Sequence, residues 1–190
     1  MSDSEGRPGS RDLGHCARQQ AQLWMVEGDH ACARRQFIKG LRYYQQALEV
    51  AEKHRLHDLQ ARLCRDLAYI YVHHGAADKA LQVLATAPAP QECKPEIHIG
   101  LLVNRATALL SQHDFRGSLI SVRQALGSLD EHYCELEVVP AALLGTYCAL
   151  TKMVRNLERV VDLLDSGVNP DRIQVTVEMA RPYWMPTEAR

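Results

Sequence analysis

The side chains best equipped for chemistry are six cysteines and nine histidines spread over 190 residues. Cys16, Cys32, Cys64, Cys93, Cys134 and Cys148 are widely spaced and no two form a CxxC. They read as reduced thiols, mostly placed inside helical patterns where a small apolar residue would serve as well. His15, Cys16, His30 and Cys32 have metal-ligand chemistry, yet each pair is adjacent or one residue apart, whereas a zinc knuckle separates its ligands by about two to four residues. No metal and no cofactor is expected. His73 and His74 could act as a pH switch or ligand pair, but histidines at a turn are usually solvated. No GxSxG, P-loop, HExxH or dinucleotide fingerprint occurs, and the neighbouring Cys and His residues lack a third group to orient them. The chain therefore reads as a non-enzyme.

The elements that must position these residues follow from composition and periodicity. With 46% apolar and 24% charged residues the chain can bury one sizeable core, as one domain or one array. A net charge of -1 and the lack of a long basic block exclude nucleic acid as an expected partner. The basic excess between Arg34 and Arg65 reads as a solvated face that could steer an acidic partner. The opening MSDSEGRPGSRDLG lacks the apolar core of a signal peptide, and no apolar run reaches the ~20 residues of a membrane span. No membrane partner is expected, and the location expected is cytoplasmic, nuclear or both.

Residues 1–12 lack apolar periodicity and read as a disordered lead-in. Beyond Leu13, apolar residues recur at helical spacing almost to residue 180, with little strand-like alternation, so the fold class is all-α. The expected helices cover 14–32, 36–55, 58–74, 77–87, 96–112, 115–128, 138–152, 154–166 and 170–180. The breaks fall near Gly75, in APAPQECKP, at QHD, in GSLDEH and in SGVNPD, where Asn169 can cap a helix beginning at Pro170. A small-residue pattern repeats across the helices. Gly28, Ala68, Ala106 and Gly145 are equivalent points, followed at twelve residues by Gly40, Ala80, Ser118 and Leu157. Tyr44, Leu84, Val122 and Val161 come next, then Ala47, Ala87, Ala125 and Leu164. The anchors recur at intervals of 40, 38 and 39 residues, and small residues are what closely crossing helices require. Stacked two-helix units, each incomplete alone, are the expected architecture.

On these residues the chain resembles the tetratricopeptide repeats. Trp24, Gly28, Gly40, Tyr44 and Ala47 meet the pattern once; Leu67, Ala68, Tyr71, Ala80, Leu84 and Ala87 meet it again. Ala106, Ser118, Val122 and Ala125 are a weaker third match, and a fourth copy is degenerate apart from Leu144 and Gly145. The resemblance covers roughly residues 20–166 and implies a right-handed α-solenoid of antiparallel helix pairs over 13–168, with a capping helix and tail over 169–190. The period exceeds the family's usual ~34 residues, which also fits HEAT-like or other α-solenoids, although the short turns within each pair argue against them.

The resemblance further implies a protein or peptide partner held in the concave groove of the first helices. Its positions carry Gln22, Met25 and Asp29, then Arg62, Arg65, Asp66, Tyr69 and His73, then Asn104, Thr107 and Ser111. Arginines there suit carboxylates on a peptide; equally, Arg62, Arg65 and Asp66 could be an exposed face with minor pairing. The clamp by which some family members grip chaperone termini is absent, since Met25 and Asp29 stand where Lys and Asn would be expected. In the fourth copy the same positions, Val139, Ala142, Leu143, Thr146, Ala149 and Leu150, are too apolar to face water. Their cover is expected to be the tail, with Ile173, Val177, Ala180 and the Tyr183–Met185 aromatics, or else a partner or second copy of the chain. The alternative function is thus a structural subunit assembled through that apolar patch.

Overall fold

A computed structural model describes residues 10–133, 141–169 and 173. Among these the chain is all-helical: α1 (Ser10–Ala33), α2 (Phe37–Lys53), α3 (His57–His73), α4 (Ala77–Ala85), α5 (Pro95–Ser111), α6 (Phe115–Tyr133) and α7 (Ala141–Asp165), with one 3-10 turn at Pro90–Glu92. Consecutive helices pack as α1 on α2, α3 on α4, α5 on α6 and α6 on α7, while α3 also lies against α2 and α5. No helix among the described residues is long and apolar enough to cross a membrane.

The small residues do what their spacing demands. A Cβ on Gly28 would lie 2.6 Å from the Tyr44 ring, and one on Gly40 would strike Cys32 Sγ and sit 3.2 Å from the Gly28 carbonyl. α1 and α2 therefore cross in an antiparallel sense at a point only glycine can occupy. Tyr44, Ala47, Ala68, Ala80, Ala106, Ser118, Val122 and Ala125 are all fully buried, whereas of the other anchors in the first three copies Leu84 is only half-buried and Ala87 lies beyond the end of α4. Of the adjacent tyrosines, Tyr44 is core and Tyr43 half-exposed, as helical geometry requires.

Five helices end in the same turn. After α1, α2, α3, α5 and α7 one residue takes the left-handed conformation: Arg35 (φ 60°), Arg55 (52°), Gly75 (71°), His113 (61°) and Gly167 (84°). The next amide then bonds back five residues, as Gln36 N to the Ala31 carbonyl (2.9 Å), Leu56 to Ala51 (2.8 Å), Ala76 to Tyr71 (2.8 Å), Asp114 to Leu109 (2.9 Å) and Val168 to Leu163 (3.0 Å). This Schellman arrangement satisfies carbonyls that the helix end would otherwise orphan.

Four expectations are corrected. The helices placed at 138–152 and 154–166 are one helix, α7, because Leu150, Met153, Leu157, Val160 and Leu164 form an unbroken apolar stripe against the α5–α6 core and no left-handed residue interrupts them. The fourth copy is therefore not a helix pair, and Gly145 is exposed with nothing among the described residues within 4 Å of its missing Cβ. The break at GSLDEH does not occur; α6 runs to Tyr133 because burial of Leu129 outweighs the ~1 kcal/mol helix penalty of Gly127. α1 begins at Ser10, inside the stretch read as disordered. The expected helix over 170–180 lies outside the described residues except for Ile173, which packs against the α5–α6–α7 cluster.

Candidate protein-binding surface

α3 is enclosed by α2, α4 and α5, and this placement decides the fate of most groove candidates. Arg65, Asp66 and Tyr69 are buried on α3, and Asn104 and Thr107 are buried on α5. These five, expected from sequence on the groove surface, are instead covered by neighbouring helices. The cause is the close approach of α3 and α5: α5 packs its polar stripe onto α3 instead of leaving it to line a cleft.

What they form is an internal polar fastening. Asp66 accepts from Arg65 Nε at 2.8 Å and pairs with its Nη2 at 2.7 Å, while Arg62 Nε stands 3.9 Å away. Arg62 also reaches Asp29 of α1 at 3.9 Å, and Asp29 accepts from the Tyr44 hydroxyl of α2 at 2.6 Å. Asn104 Nδ2 donates to the Arg65 carbonyl at 2.8 Å, tying α5 to α3. Burial pushes the Asp66 carboxyl up to about 6, against the pull of Arg65 and Arg62. The Tyr44 hydroxyl is raised by burial and by its bond to Asp29, and burial pushes the Cys32 thiol up to about 11. Thr107 and Ser111 hydroxyls donate to carbonyls one turn back on their own helix, at 2.9 and 3.0 Å. His73 is exposed, with its ring 4.1 Å from that of Tyr69.

An open surface remains where the first helices meet. Gln22 and Met25 of α1, Asp58, Leu59 and Arg62 of α3, and Lys94, Glu96 and Ile97 at the start of α5 line a groove of about 440 Å³. Asp58 is held at its lip by Arg18, which donates to both carboxylate oxygens at 2.8 and 2.9 Å and holds the carboxyl below its ordinary value. Three residues assigned from sequence, Gln22, Met25 and Arg62, meet here; Asp58, Lys94 and Glu96 were missed, because a helix start and an exposed acid carry no sequence signal of the helices that pack beside them.

The apolar patch is also redistributed. Leu150 is buried in the α5–α6–α7 core, and Thr146 and Ala149 are half-buried. Val139 lies outside the described residues, and so do the side chains of Ala142 and Leu143. The large apolar side chains that α7 does expose are Leu144, Tyr147 and Leu163. Among the described residues Cys16, Cys32, Cys64, Cys93 and Cys148 are free thiols, and no three His, Cys, Asp or Glu side chains converge as metal ligands would. Comparison with protein-family models, curated proteins and solved structures finds no match to this chain.

Proposed function

We propose that this chain is a non-catalytic protein-interaction scaffold, a right-handed solenoid of helix pairs resembling the tetratricopeptide repeats, that holds a peptide or helix against α1, α3 and α5. The observation supporting this reading is a groove to which α1, α3 and α5 all contribute, with both signs of charge around the apolar floor of Met25, Leu59 and Ile97. Charged rims fix register and orientation, while the apolar floor supplies affinity. The test is affinity purification with mass spectrometry, comparing the wild type with Arg62→Glu and Lys94→Glu. Specific loss of a partner from both variants is expected, and an unchanged partner list would sink the proposal. A second reading, a structural subunit assembled through α7, draws on the exposure of Leu144 (55%) and Tyr147 (38%) one turn apart. Self-association abolished by Leu144→Ser would favour it.

A further inference from the structure

A second groove, of about 580 Å³, lies over α5 between α4 and α6 and shares no residue with the α1–α3–α5 groove. Its origin is a shortened helix. Pro88 and Pro90 cannot continue α4, which stops at Ala85, and by the equivalence of Ala80 with Ser118 that residue matches Arg123 of α6. α6 runs on to Tyr133, and the wall it gives the groove, Gln124, Gly127, Ser128 and Glu131, lies wholly beyond the level at which α4 stops. Leu84, Ala87 and Pro88 form the facing wall, and Leu101, Leu102 and Arg105 of α5 the floor. Gly127, a costly residue inside a helix, is exposed, and its missing Cβ would meet nothing within 4 Å among the described residues. The two charges along the groove sit apart. α5 and α6 run antiparallel through the turn at 112–114, which puts Arg105 with Gln124 toward that turn and Glu131 with His98 toward the far end, about 10 Å or two helical turns away. Among the described residues neither Arg105 nor Glu131 has a hydrogen-bond or ion-pair partner. Burial and the nearby His132 hold His98 below its ordinary value, so it adds no charge at neutral pH.

We infer that this groove docks an amphipathic helix of a partner protein, which lies where α4 would have continued, sets an acidic residue on Arg105 and a basic one two turns away on Glu131, and seats aliphatic side chains between them on Leu84, Leu101 and Leu102. Three observations select a helix. The floor and the α6 wall are themselves helical, so their main-chain groups are already paired and an extended peptide finds no ladder to join, whereas a helix brings its own backbone satisfied. Two turns of helix about 10 Å across occupy roughly 800 Å³, so the groove takes such a segment sunk past its axis. Gly127 and Ser128 keep the α6 wall low, which lets a second helix approach closely. Charge complementarity then fixes the face: acid and base seven residues apart, with aliphatic residues three and four positions on from the first, all on one side of the helix. The inference goes beyond the scaffold reading in naming a second docking surface and the pattern that fits it.

The probe is a phage-displayed library of random sixteen-residue peptides panned against the full chain, with the enriched sequences then made as fluorescein-labelled peptides and followed by fluorescence anisotropy. Enriched peptides are expected to share the acid–base spacing of seven with aliphatic residues between. Gly127→Leu, which fills the groove while improving helix propensity, should weaken their binding by at least about tenfold. Arg105→Glu should weaken it on the same scale, and exchanging the peptide's acid for lysine should restore it. Arg62→Glu should leave the affinity unchanged. Absence of a shared pattern, equal affinity in Gly127→Leu, or no rescue of Arg105→Glu by the exchanged peptide would overturn the inference. So would tight binding of a synthetic peptide of residues 170–190 that Gly127→Leu abolishes, which makes the chain's own terminus the occupant, or a dimer in sedimentation that the same variant dissolves, which makes it a second copy. A loss in Arg62→Glu alone would move the peptides to the first groove, overturning this inference while supporting the scaffold reading.

Discussion

Asp66 shows how much one buried carboxyl can reveal. Its side chain is 1% exposed, and burial raises its proton affinity more than Arg65 and Arg62 lower it. The folded-state value, about 6, lies above the ordinary 3.8, so between those limits the folded chain binds more protons than the unfolded one. Stability contributed by this group is therefore present at low pH and lost as pH rises from about 4 to 6, with a slope that cannot exceed about 1.4 kcal/mol per pH unit for one group. Asp66→Asn cannot titrate. Urea unfolding across this window should show the wild type losing stability relative to the variant as pH rises, and parallel curves would show that Asp66 ionises normally in the fold. The type and spacing of Arg62, Arg65 and Asp66 were legible in sequence; the burial of Arg65 and Asp66 was not. A polar helix face looks the same whether it meets water or another helix, and only the approach of α5 decides which.

At the scale of elements, the repeated turn explains why the helices end where they do. Gly75 announces its turn, since glycine reaches positive φ at no steric cost. Arg35, Arg55 and His113 give no such signal and carry a penalty of roughly 1–2 kcal/mol each for a left-handed L-residue. They tolerate it because packing on both sides over-determines the turn: Ala31, Ala51 and Leu109, whose carbonyls accept the closing bonds, sit in helices held by the core. Replacing Arg55 by glycine should raise stability by up to about 1 kcal/mol, the steric relief offset in part by a looser unfolded chain, and thermal unfolding measures it. A lower melting temperature would mean that the Arg55 side chain makes a contact worth more than the strain. No comparable turn interrupts α7: with Leu150, Leu157 and Val160 continuing one stripe, straight helix buries more apolar surface than a hairpin would.

Over the whole molecule, the core is divided. One apolar cluster joins α1, α2 and α3; another joins α5, α6 and α7; smaller ones, built on Ala68, Ala80 and Ala108 and on Cys64, Ile97 and Leu101, bridge them through α3–α5. A core divided into separate clusters favours local opening of one cluster before another. Leu157→Ala, which empties a fully buried site, should cost about 2–5 kcal/mol in the α5–α7 region. Native-state hydrogen exchange should then show faster opening of α6 and α7 with α1 and α2 nearly unchanged; uniform acceleration would mean that the chain unfolds as one unit.

What the sequence determined by itself is what depends on local chemistry: the all-helical class from 3.6-residue periodicity, and the close helix contacts at Gly28, Gly40, Ala68, Ala80 and Ala106, because a small residue at each crossing is a steric requirement written in the residue type. Tertiary structure alone decided which faces see water. It buried Arg65, Asp66, Tyr69 and Asn104, turned Leu150 inward, left Ile38 outside, and joined the last two helices into α7. The reason is physical: periodicity marks which residues share a face, but whether that face is covered depends on how closely helices distant in the chain approach, and the sum of many weak contacts sets that distance.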